Sequence, residues 1–134
     1  LYTTKDNIYF SNTGSPEFLK EVVALMKLKD SNSLDEVCFF WLDAHTRGGE
    51  TIYLSEIDYI INNFKKYYIF IDDVDINVNG WNHNGYGLSE IKNVMKDNKL
   101  YIPDYNELEN PFHGKTGWAL VSNLDLEKIN IKEI

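Results

Sequence analysis

Hydrophobic and polar positions alternate between two periods along the chain, and the switch is clearest from Val37 to Asp75. Val37-Cys38-Phe39-Phe40-Trp41-Leu42 and Tyr67-Tyr68-Ile69-Phe70-Ile71 are continuous runs of aromatic and aliphatic residues. Such runs suit strands covered on both faces, as in a parallel sheet. Between them Ile52, Leu54, Ile57, Ile60, Ile61 and Phe64 recur at helical spacing. The pattern predicts a βαβ unit: a helix over 50–64, strands ending at Leu42 and Ile71 that lie side by side and parallel, and a right-handed crossover. Each strand runs straight into acid, Asp43-Ala44-His45 after the first and Asp72-Asp73 after the second. Parallel strands bring their carboxyl ends to one edge, so Asp43, His45, Asp72 and Asp73 are expected where open α/β sheets take their ligands.

The flanking segments extend the same layout. Asn7 to Ser11 reads as a short strand and Asn12-Thr13-Gly14 as a turn. A helix follows, with Ser15 as its N-cap, Pro16 at its first position and Phe18, Leu19, Val22, Val23 and Met26 as its apolar face. Lys29 to Asp35 is a polar loop. Asp75 to Gly87, rich in Asn and Gly, has no periodicity and the length of a functional connection. Gly87 to Asn98 is helical in pattern, with Leu88, Ile91, Val94 and Met95 inward. Leu100-Tyr101-Ile102 is a short strand stopped by Pro103, and Trp118-Ala119-Leu120-Val121 is a last strand. The tail from Leu124 fits a helix or a strand equally.

Composition narrows the class. With 134 residues, 43% hydrophobic and 14% aromatic, the chain suits one globular α/β domain spanning 1–134. A formal net charge of −8, from 21 acids against 13 Lys and Arg, speaks against nucleic-acid or anionic-membrane surfaces. Cations and neutral polar small molecules are easier partners, and a homo-oligomer is open. The single Cys38 lies in a strand pattern and reads as a small core residue. No apolar run is long enough to cross a bilayer and no signal-peptide pattern is present, so the expected location is cytoplasmic.

Carboxylates that converge from two strand ends repel one another, and a hard divalent cation such as Mg²⁺ relieves this with oxygen ligands. Asp43, Asp72 and Asp73 are the candidate metal ligands. Strand-terminal Asp residues also cap the turns that follow, and the sequence leaves both uses open. His45, two residues past Asp43, suits a general base working near neutral pH, or a histidine that orders the turn. Arg47 is a weaker candidate for holding substrate. Trp81, His83 and Tyr86 fall in the Asn/Gly-rich connection, where they suit a sugar-like ligand or, equally, an exposed mobile loop of no function. His113 lies near the chain's end, and Trp118 reads as core.

From Asn7 onward the motifs NIYFSNTGSPEFLKEV, FFWLDAH, IFIDDVD, GYGLSEIKNVM and GWALVS resemble the carboxyl-terminal part of class I S-adenosylmethionine-dependent methyltransferases. "LDAH … DD" is most similar to metal-dependent O-methyltransferases of the catechol and macrocin type. The resemblance implies a Rossmann-like parallel sheet with helices on both faces and an antiparallel final strand. It also implies S-adenosylmethionine as cofactor, with the Thr13-Gly14-Ser15 turn near its adenine and Asp43 near its methionine end. The implied reaction is methyl transfer to a hydroxyl of a polar, possibly sugar-like, small molecule. In such enzymes a metal lowers the hydroxyl's pKa, and here Asp43 and His45 would be the catalytic residues.

The resemblance also has gaps. Residues 1–134 hold no Gly-rich turn between a first strand and first helix, and no ribose-binding acid after a second strand. Where the family often carries an acid near the adenine, this chain has Thr13. The expectation is of half a cofactor site that, by itself, binds S-adenosylmethionine weakly or not at all. Two other classes fit parts of the pattern. IDDVD also resembles the acidic strand end of a metal-dependent nucleotide-sugar glycosyltransferase. A non-catalytic binding or assembly module on a reduced Rossmann-like fold fits the missing Gly-rich loop and predicts an oligomer that covers an open sheet edge.

Overall fold

A computed structural model describes residues 2–5, 8–30, 32–43, 52–75, 87–103, 116–126 and 131–133. The order is β1 (Tyr2–Lys5), β2 (Ile8–Phe10), α1 (Ser15–Lys29), a single 3₁₀ turn (Ser33–Asp35), β3 (Val37–Leu42), α2 (Ile52–Asn63), β4 (Lys66–Asp75), α3 (Leu88–Val94), β5 (Lys99–Pro103), β6 (Thr116–Ser122) and β7 (Ile131–Glu133). β1 and β2 pair as an antiparallel ribbon, and the other strands form one sheet in the order β3-β4-β6-β5-β7.

The central unit has the form its periodicity predicts. β3 and β4 are parallel neighbours in register from Val37↔Lys66 to Leu42↔Ile71, with α2 between them in the chain. β6 runs antiparallel to both β4 and β5, so β3, β4 and β5 share one direction. The result is an α/β fold on a mixed, partly parallel open sheet. The tail, ambiguous in sequence, is strand β7, antiparallel to β5.

The core lies between the sheet and the helices. α1 contributes Leu19 and Val23, α2 contributes Ile57 and Ile60 with Phe64 just beyond it, and α3 contributes Leu88 and Ile91. They pack on Leu42, Ile69, Ile71, Leu100, Ala119 and Val121 from the strands. These are the apolar stripes of a 3.6-residue helical period meeting one face of a two-residue strand period. Cys38 is half-buried against this core, and burial pushes its thiol pKa up. At the far end of β4, the Tyr67 hydroxyl donates to Asn98 Oδ1 at 2.6 Å and Ser122 Oγ donates to the Tyr67 carbonyl at 2.7 Å.

The structure corrects three expectations. β3 is not covered on both faces: it is an edge strand of its sheet, and Val37, Phe39 and Trp41 are 55%, 61% and 58% exposed while Leu42 is buried. An unbroken aromatic run cannot distinguish a doubly covered strand from an aromatic face left open. Ser15 is not an N-cap but the first residue of α1, and Gly14 caps the helix without a side-chain hydrogen bond. Asp72 and Asp73 lie within β4, which continues to Asp75, and do not follow it.

Candidate functional site at the end of the parallel strands

Three elements meet at the carboxyl end of β3. The first turn of α1 brings Ser15, Phe18 and Leu19; β3 brings Phe39 to Leu42 and then Asp43; α2 brings Glu56. Together they line a pocket of about 370 Å³, a volume suited to a small molecule. Phe18, Leu19, Phe40 and Leu42 supply apolar wall, whereas Ser15, Asp43 and Glu56 are the polar members. Two residues placed in the cofactor site on resemblance, Ser15 and Asp43, thus share one pocket. Thr13 and Gly14 precede Ser15 in the exposed turn leading into α1.

Glu56 is the residue that sequence reasoning missed. It is 1% exposed, and its Oε2 has no hydrogen-bond partner among the described residues. Burial pushes its carboxyl above the usual carboxylate range, and a hydrogen bond from the Ser15 side chain opposes that shift only in part. The position held a signal. Glu56 is four residues after Ile52 and four before Ile60, so a helical period puts an acid within the apolar stripe. Because Ser15 belongs to the first turn and is not spent as a cap, its hydroxyl is placed to face α2.

The acids of β4 occupy a distorted stretch. Ile71 pairs with Ala119 but Val74 pairs with Gly117, so β4 carries one residue more than β6 between those pairs. This is a β-bulge at Asp72-Asp73, and Asp73 has φ 53°, in the left-handed region. Asp and Asn tolerate that region better than other residues with a Cβ. The Asp73 amide donates to Asp72 Oδ1 at 2.9 Å. Continuing the β3–β4 register past Leu42↔Ile71 sets Asp43 beside Asp72 along the sheet edge. Asp43 is exposed, and Asp72 and Asp73 are half-buried. Among the described residues no group of three His, Cys, Asp or Glu side chains is gathered to hold a metal ion. A bulge re-aims side chains, and strand alternation already separates neighbours such as Asp72 and Asp73.

His45, Arg47, Trp81, His83, Tyr86 and His113 lie outside the described residues. Trp118 is half-buried, with its ring centroid 4.9 Å from that of Phe70. Phe70 in turn stacks on Trp41 at 5.7 Å and 3° and lies 5.5 Å from Phe39. This aromatic row crosses the sheet on the face where β3 is exposed. No described helix is long and apolar enough to cross a membrane.

No family model, curated protein or solved structure matches this chain. The functional reading therefore stands on the residues and their placement.

Proposed function

We propose that the chain is the carboxyl-terminal part of a class I methyltransferase-like fold, acting in S-adenosylmethionine-dependent methyl transfer to a hydroxyl of a small polar molecule. The observation that carries this reading is that Ser15 and Asp43 line one pocket at the carboxyl end of the parallel strands. The parallel β3, β4 and β5 with an antiparallel β6 also agree with the resemblance. In this account the Thr13-Gly14-Ser15 turn supports the adenine and Asp43 holds the methionine end. When bound, the cofactor supplies an electrophilic methyl group on sulfonium sulfur. The chain contributes position: it fixes the acceptor oxygen in line with that carbon and keeps water out. His45 is assigned as the base that takes the hydroxyl proton. A divalent cation at Asp43, Asp72 and Asp73 is a separate arm of the proposal.

Calorimetry with S-adenosylhomocysteine, and in parallel with a nucleoside diphosphate plus Mg²⁺, tests the reading. The expected result is a preference for the thioether nucleoside, with weak affinity that Asp43→Asn lowers further. Tighter binding of the nucleoside diphosphate would overturn methyl transfer in favour of the glycosyltransferase-like reading. For the metal arm, Mg²⁺ binding equal in the wild type and the Asp72→Asn, Asp73→Asn double variant removes that site.

The exposed Val37, Phe39 and Trp41 on edge strand β3 favour a second reading, a non-catalytic module that assembles through this edge.

A further inference from the structure

We propose that the pocket at the end of β3 is a site for a small organic cation, a molecule with an ammonium or amidinium group on an apolar body, anchored by the Glu56 carboxylate. The pocket provides a volume of about 370 Å³ and walls that include Phe18 and Phe40. Among the described residues its polar lining consists of Ser15, Asp43 and Glu56, none of them basic. An anion entering would meet the Asp43 and Glu56 carboxyls. A neutral apolar molecule would leave Glu56 Oε2 as it stands, buried and without a donor. Such an orphaned acceptor is unfavourable, and an N–H donor from a ligand satisfies it. A charge-assisted hydrogen bond is also the stronger kind.

The walls complete the argument. Aromatic faces attract cations through the ring quadrupole and shield the body of the ligand from water. A hard metal ion needs several oxygen ligands, whereas an organic cation needs one good acceptor and an apolar surround. The Ser15 side chain is within hydrogen-bonding reach of the Glu56 carboxyl, whose Oε2 has no partner among the described residues. The site stands on Glu56 and does not depend on the methyl-transfer reading.

The probes are benzylamine and its neutral near-isostere benzyl alcohol, titrated into the full chain while Trp fluorescence and the Glu ¹³Cδ resonances are followed. The wild type should bind the amine at least about ten-fold more tightly than the alcohol, as a charged hydrogen bond implies. The amine alone should move the Glu56 resonance. In Glu56→Gln the preference should disappear. The wild-type resonance decides the question even if that variant does not fold. Equal binding of the two probes, an unmoved Glu56 resonance, or an amine preference that survives in a folded Glu56→Gln chain overturns the proposal.

Discussion

At the scale of single residues, Glu56 and Asp73 are held in conditions unfavourable to folding. Glu56 is buried with an unpartnered oxygen, and its raised pKa fixes the sign of a pH effect. The folded state binds its proton more tightly than the unfolded state, so this contribution to stability is fully present below the ordinary value of 4.5 and is lost as pH rises through the folded pKa. Glu56→Met, similar in volume but without the carboxylate, should stabilise the chain at neutral pH by roughly 1–3 kcal/mol. Denaturant melts across pH should show this gain shrinking as the pH falls toward 4.5. A destabilised Met variant, or a pH-independent difference, contradicts the account. Asp73, at φ 53°, gives a parallel case. Asp73→Asn should lie within about 1 kcal/mol of the wild type, whereas Asp73→Val should cost roughly 1–2 kcal/mol, because a β-branched residue resists the left-handed region. Equal stability of the Asn and Val variants in equilibrium unfolding would show that the bulge relaxes.

At the scale of elements, the parts legible in sequence are those in which one period persists. β3, α2 and β4 were readable because apolar spacing switches from strand to helix and back over Val37 to Ile71. The open face of β3 was not readable, since Phe39 and Trp41 are as aromatic as residues of a covered strand. The bulge was hidden for a related reason: the pair Asp72-Asp73 looks like a strand end, and only pairing with β6 shows that the strand continues. Of the pocket, Ser15 and Asp43 were found through motif resemblance and Glu56 was not. An acid within an apolar helical stripe signals burial, but its partner lies on another helix. The edge strand makes its own prediction. Phe39→Thr with Trp41→Thr removes the Trp41–Phe70 stack at a cost of roughly 0.5–1.5 kcal/mol and should lower any concentration-dependent association seen in sedimentation velocity. Association unchanged by both substitutions would count against β3 as a contact surface.

At the scale of the whole molecule, the sheet sets β3, β4 and β5 in one direction with their carboxyl ends at one edge, and the pocket forms where α1 and α2 meet that edge. The acidic balance of the chain, −8 overall, suits the same picture of a site that receives cationic or neutral molecules. Chemical-shift mapping of an isotope-labelled chain titrated with S-adenosylmethionine tests the central claim most directly. The account predicts weak, saturable shifts centred on Thr13, Gly14, Ser15 and Asp43. Shifts centred on another surface, or binding by this chain alone as tight as micromolar, would contradict it.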